Sequence, residues 1–240
     1  MTDEKQKLPS PSGTGEVSAD VDAFLRDLQR APPPRPSGGR GRLIFALDAT
    51  ASREPTWDRA CRIQGEMFEA TAALGGLDVK LVYYRGFNEC KASRWMTNAA
   101  DLHRVMRSVS CVGGETQIER VLAHALNETK QRKVNALVFV GDAMEESVDR
   151  LCQLAGELGL NGVPIFLFHE GDNPLAARAF QQMAKLSRGA YLRFDLASAD
   201  RLKDLLGAIA VYAAGGYRAL TAYGEKKGGE VLRLTAQLRN

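Results

Sequence analysis

Residues 42–58 read RLIFALDATASREPTWD: an apolar run, Leu43 to Leu47, meets a single carboxylate at Asp48, and two hydroxyl side chains follow at Thr50 and Ser52. A run with no polar face predicts a strand covered on both sides, as in a parallel sheet, since a sheet wetted on one side alternates apolar and polar residues. A carboxylate at such a strand end serves as a turn or helix-cap residue, a nucleophile or a metal ligand. Alternate hydroxyls beyond it keep all three roles open.

Outward from this stretch the chain alternates short apolar runs with longer amphipathic ones: TWDRACRIQGEMFEATAAL, DVKLVYYRG, TQIERVLAHALNETK, NALVFVGD, SVDRLCQLAGELG, VPIFLFHEG, LAARAFQQMAKLSRG, AYLRFD and ADRLKDLLGAIAVYAA. That alternation predicts an α/β, three-layer Rossmann-like architecture, a mostly parallel central sheet of about six strands with helices on both faces. The strands LIFAL, ALVFV and IFLF are apolar throughout, while Val148, Leu151, Cys152, Ala155 and Leu158 form one helical stripe and Leu202, Leu205, Leu206 and Ile209 another. Residues 87–98, FNECKASRWMTN, fit neither period and suggest a short edge strand and loop before a helix at AADLHRVMRSV.

The flanks differ in composition. Residues 1–41 form a Pro/Gly/Ser-rich arm, expected to be disordered, with one possible helix over 18–30 where Val21, Phe24, Leu25 and Leu28 share a face after Ser18. A single domain is expected over 42–213, and 214–240 is an extension whose pattern suits strand and helix equally. Of the 240 residues, 45% are apolar, which supports a sizeable core. Thirty-two basic against 29 acidic residues leave a net charge of +3, too near balance for a polyanion-binding protein, so no nucleic-acid partner is expected. The start lacks an apolar leader, and nowhere do the roughly 18 apolar residues of a membrane span occur in sequence. Cys61, Cys90, Cys111 and Cys152 are scattered without a CxxC pair, which predicts reduced thiols in a cytoplasmic protein with no membrane partner.

In an open parallel sheet ligands bind beyond the carboxyl ends of the strands, where the strand order reverses. Three segments deliver polar oxygens to such ends: Asp48, Thr50 and Ser52; Thr116 in CVGGETQIER; and Asp142 in VFVGDAMEE. Two carboxylates and three hydroxyls, with no imidazole or thiol, suit a hard divalent cation, magnesium or manganese.

The order of these segments resembles the von Willebrand factor A (vWA) domains, whose metal-ion-dependent adhesion site (MIDAS) has a DxSxS loop, a later Thr and a later Asp. DATAS at 48–52, GGET at 113–116 and LVFVGD at 137–142 stand in those places, and the likeness covers about residues 42–213 in segment order. The resemblance implies that Thr50, Ser52 and Thr116 offer hydroxyl oxygens to one Mg2+ or Mn2+ ion, while Asp48 and Asp142 act through water or as hydrogen-bond acceptors. It also implies a non-catalytic module in which the ion takes an Asp or Glu of a partner protein as a further ligand. Intracellular bacterial members of the family work beside an AAA-type ATPase or a chaperone, which is the partner class implied. The sequence departs from the pattern at Thr50, where serine is usual, and the extra methyl crowds the ion.

Two other functions start from the same residues. A haloacid-dehalogenase-like, Mg-dependent phosphatase would use Asp48 as nucleophile and Asp142 for magnesium, but the second aspartate expected two residues after the nucleophile is absent, and Thr116 follows a glycine-rich loop instead of ending a strand. A metal-independent vWA scaffold is the other. Outside the constellation, His169 reads as a structural histidine beside Glu170 at the same sheet edge, and His103 and His124 as packing or surface residues on helices. Glu145 and Glu146 are expected in a first helical turn, where the dipole favours acidic side chains. Trp95, Tyr83 and Tyr84 are candidates for a recognition edge, with one of the two tyrosines in the core.

Overall fold

The computed structural model describes residues 40–54, 57, 65–71, 76–194 and 199–227, together with 23 and 26. The predicted helix over 18–30 and the rest of the arm lie outside the described residues, positions 23, 26, 40 and 41 excepted, as do residues 228–240.

The opening stretch forms strand β1, Gly41–Asp48, with every residue buried. It is flanked by β2, Leu77–Arg85, and β4, Ala136–Gly141; β3 is Glu89–Ala92, β5 Ile165–Glu170 and β6 Ala190–Phe194. The six strands lie in the order β3-β2-β1-β4-β5-β6. All neighbours are parallel except β2 and β3, which pair antiparallel through the short edge strand expected in FNECKA.

Alternation along β1 divides its side chains between two cores. Leu43, Phe45 and Leu47 face helices α1, Gly65–Thr71, α2, Ala99–Arg107, and α6, Ala199–Lys227, whose Met67, Leu102, Met106, Leu206 and Ile209 join the same cluster. Ile44 and Ala46 face α3, Ile118–Gln131, α4, Val148–Leu160, and α5, Pro174–Ser187, among Val121, Leu151, Leu158 and Phe180. Each of the larger side chains, Leu43, Ile44, Phe45 and Leu47, contributes about 1.5–3 kcal/mol by leaving water, so a two-sided strand is doubly anchored.

Local capping sets the helix starts. Asn173 accepts hydrogen bonds from the Leu175 and Ala176 N–H groups ahead of α5, with Pro174 as its first residue, and Asn98 accepts from the Asp101 N–H ahead of α2. The residues left between strand and helix at 214–240 are helical as far as Lys227: α6 crosses residue 213 and is interrupted only at Gly216, where φ is 72°. Leu220, beyond that break, is buried in the same core as Met67.

The strand order also locates a crevice. From β1 the chain passes through α1 to β2 on one side, and from β4 through α4 to β5 on the other. The connections leaving β1 and β4 therefore depart to opposite faces of the sheet, and the ends of these two adjacent strands form the switch point. Asp48 ends β1 and Asp142 follows β4.

Candidate functional site

Asp48 is fully buried, on the side of β1 that carries Ile44 and Ala46. One carboxylate oxygen accepts the Thr50 N–H at 2.7 Å and the other accepts the hydroxyl of Tyr84 at 3.0 Å. Tyr84 is the residue paired with Asp48 in the β1–β2 register. Burial raises the Asp48 carboxyl above its usual range; the hydrogen bonds from Thr50 oppose this, and the Asp142 charge adds to it. Tyr84, wholly buried against that carboxylate, is pushed well above the ordinary phenol range, first by burial and then by the Asp48 charge.

The loop beyond Asp48 turns through a single 3-10 turn, Ala51–Arg53. It brings Thr50 Oγ1 within 3.1 Å of Ser52 Oγ, so the two hydroxyls predicted as ligands are adjacent, Thr50 buried and Ser52 exposed. Asp142 stands half-buried beyond Gly141, and its Oδ1 is a buried oxygen with no hydrogen-bond partner among the described residues. Gly141 suits the close approach, because a Cβ there would overlap the Phe139 ring and lie 3.6 Å from Asp48 Cβ.

Thr116 reaches the same edge through a loop held between two strand ends. The Val112 N–H donates to the Ala49 carbonyl at 3.1 Å, and the Gly86 and Glu115 N–H groups donate to the Val112 and Gly86 carbonyls, each at 3.3 Å. Gly114 lies directly on the Gly86 backbone, where a Cβ has no room, whereas Gly113 is open. The Thr116 hydroxyl donates to Glu146 Oε2 at 2.5 Å and accepts the Glu145 N–H at 2.9 Å, while the Thr116 N–H donates to Glu145 Oε2 at 2.8 Å. Among the described residues its hydrogen-bond partners are therefore these glutamates, not Thr50, Ser52 or either aspartate.

Those glutamates correct a sequence expectation. They lie in the loop ahead of α4, whose first turn holds Asp149, and Glu146 serves a different helix by accepting the Ile118 and Glu119 N–H groups at the start of α3. Nothing local signals this, since the two segments are distant in sequence. Arg53 was not expected at the site either: it is 3% exposed and ion-paired with Glu170 at the end of β5. Tyr84 joins them: the sequence marks it only as one of an adjacent pair of tyrosines, and its register opposite Asp48 brings its hydroxyl to the site.

The remaining candidates are structural. His169 is fully buried, with Nδ1 3.0 Å from the Tyr191 hydroxyl and Nε2 3.3 Å from the Asp142 carbonyl. Trp95 is half-buried beneath Arg42, whose guanidinium lies 3.9 Å from the ring centroid, and its Nε1 donates to Glu128 at 2.9 Å. Cys90, Cys111 and Cys152 are free thiols.

The donor set fits a hard cation in kind: an adjacent hydroxyl pair and two carboxylates, one of which, Asp142, has an orphaned oxygen. Among the described residues no three His, Cys, Asp or Glu side chains cluster as a metal cage, so any ion here would depend on hydroxyls and water for most of its ligands. At the rim, Phe87 and Val112 expose apolar side chains, 72% and 43% accessible.

No family profile and no curated protein matches the chain. Solved structures do match its fold. The vWA domain of SpRpn10 superposes with a TM-score of 0.57 at 14% identity, covering 73% of this chain and 98% of that one. The vWF domain of the pilus tip protein Mfa5 from Porphyromonas gingivalis gives 0.56 at 11%, covering 71% and 95%. Proximal thread matrix protein 1 of the mussel byssus, in a structure whose MIDAS motif is occupied by zinc, gives 0.53 at 15%, covering 72% of this chain and 45% of that chain. With its parallel six-stranded sheet, its single antiparallel edge pair and its helices on both faces, the chain has the fold of a von Willebrand factor A domain.

Proposed function

We propose that this chain is a non-catalytic protein-binding module that holds one divalent cation, Mg2+ or Mn2+, at the β1–β4 switch point and presents it to an acidic side chain of a partner protein. The observation that carries this reading is the placement of Asp48, the Thr50–Ser52 hydroxyl pair and the unpartnered Asp142 oxygen at that one crevice. An orphaned buried carboxylate oxygen is costly unless something binds it. The zinc-occupied MIDAS of the mussel protein, on the same fold, supports a metal at this position.

An ion held by few carboxylates keeps much of its positive charge and so favours an anionic ligand from outside. Phe87 and Val112 supply apolar surface beside it, which suits a protein partner better than a small anion. An ATPase or chaperone subunit with an acidic loop is the partner class proposed.

Thermal unfolding in excess chelator and then in millimolar Mg2+ or Mn2+ tests the reading. An ion that binds only the folded state stabilises it by about 2.7 kcal/mol at a hundred times its dissociation constant. The wild-type midpoint is expected to rise, and the rise to vanish in Asp142→Asn and shrink in Ser52→Ala. No rise in the wild type would leave a metal-independent vWA scaffold. Magnesium-dependent hydrolysis of an aryl phosphate, lost in Asp48→Asn, would instead replace the binding module with the phosphatase.

A further inference from the structure

The Arg53–Glu170 ion pair crosses the candidate site. Arg53 belongs to the loop after β1, and Glu170 ends β5. In the sheet β4 lies between those strands, so a side chain reaching from the β1 loop to the β5 end passes over the end of β4, where Asp142 stands. Arg53 is buried there, at 3% exposure, with Asp48 fully buried and Asp142 half-buried at the same strand ends. Neighbouring contacts hold this route in place: the Arg53 N–H donates to the Thr50 carbonyl at 3.0 Å, and His169, one residue before Glu170, meets the Asp142 carbonyl.

We propose that Arg53 is the resident counter-ion of the strand-end carboxylates and, given the metal reading above, the residue that sets how tightly they take a divalent cation. Without an ion, two acidic side chains at one crevice are balanced by the guanidinium, so the fold stands in the absence of metal. With an ion, the fixed positive charge opposes binding. Glu170 decides where that charge sits, because its carboxylate draws the guanidinium toward β5 and away from the crevice. Burial lowers the Arg53 pKa, and the charges of Asp142 and Asp48 push it back up, as expected of a cation held close to both.

The proposal makes opposite predictions for the two partners. Mn2+ affinity, measured by titration calorimetry and by loss of the free-ion paramagnetic resonance signal, should tighten about tenfold or more in Arg53→Met. It should weaken by a comparable factor in Glu170→Gln, which leaves the guanidinium to the aspartates. Unchanged affinity in both variants, or a shift in the same direction, overturns the assignment. If Arg53→Met does not fold, Glu170→Gln alone decides it, with unchanged or tighter binding as the refuting result. If no form takes up Mn2+ at millimolar concentration, the metal reading fails, and urea unfolding in chelator tests the counter-ion role by itself. Asp142→Asn should then recover part of the stability lost in Arg53→Met, while simple addition of the two losses refutes it.

Discussion

Asp48 shows what a buried carboxylate needs. Both its oxygens are satisfied, one by the Thr50 backbone and one by the Tyr84 hydroxyl, and the second bond is the more exposed to test. Tyr84→Phe removes a donor from a fully buried acceptor and is expected to cost about 1–3 kcal/mol, measured by urea unfolding in chelator. Tyr212 makes the converse case: its hydroxyl is buried without a hydrogen-bond partner among the described residues, and its ring packs edge-on against Phe166. Tyr212→Phe keeps the ring contact and releases the orphaned hydroxyl, so the same experiment should find it neutral or stabilising by about 1 kcal/mol. Position in the sequence marked Tyr84 as one of an alternating pair; only its register against Asp48 revealed what the hydroxyl does.

At the scale of elements, the loop before α3 is fixed by a close backbone approach. Gly114→Ala would press a methyl into the Gly86 backbone, and overpacking of this kind costs about 1–3 kcal/mol. Because the Val112 N–H of the same loop holds the Ala49 carbonyl next to Asp48, the variant is also expected to blunt the midpoint rise on adding metal, read in the same thermal experiment. Helix α3 carries a pH-sensitive group as well. Burial, and then the charge of Lys80, lower the pKa of His124. A histidine lowered on folding is neutral in the native state but gains a proton on unfolding at about pH 6.5 and below, so the unfolded state binds more protons there. Stability is therefore full above that pH and is lost as pH falls from about 6.5 toward the folded value, with a limiting slope near 1.4 kcal/mol per pH unit for one proton. His169, lowered first by burial, acts in the same window. His124→Gln should flatten the slope without abolishing it, as measured by urea unfolding between pH 7.5 and about 5.

Across the whole molecule, the edge of the sheet opposite the crevice is tied by one carboxylate. Glu128 of α3 accepts Lys80 Nζ from β2 at 2.5 Å, Trp95 Nε1 at 2.9 Å and the Arg42 guanidinium from β1 at 3.3 Å. Arg42 and Lys80 are 6% and 8% exposed, so removing their shared anion leaves two cations in a poorly hydrated site. Glu128→Ala is expected to cost about 3–5 kcal/mol, and Glu128→Gln less because it keeps an acceptor, both read from urea midpoints. The helix and strand periods that place these residues on their elements were legible in advance, but their convergence was not, because Arg42, Lys80, Trp95 and Glu128 come from four segments joined only by folding.

By itself the sequence determined the elements and their packing faces. Hydrophobic period is a local property, and runs as short as Leu43 to Leu47, set between longer amphipathic segments, leave water on both sides as central strands. The order of hydroxyls and carboxylates was legible too, and so was the edge of the sheet at which they would gather. Tertiary structure alone decided the partners within that edge: Tyr84 on Asp48, the two glutamates on Thr116, and Arg53 stretched over β4 to Glu170. These contacts follow from strand register and from the reversal of strand order at β1 and β4. Both arise from pairing between segments far apart in the chain, where charge and hydrogen bonding act through space and leave no periodic trace along the sequence.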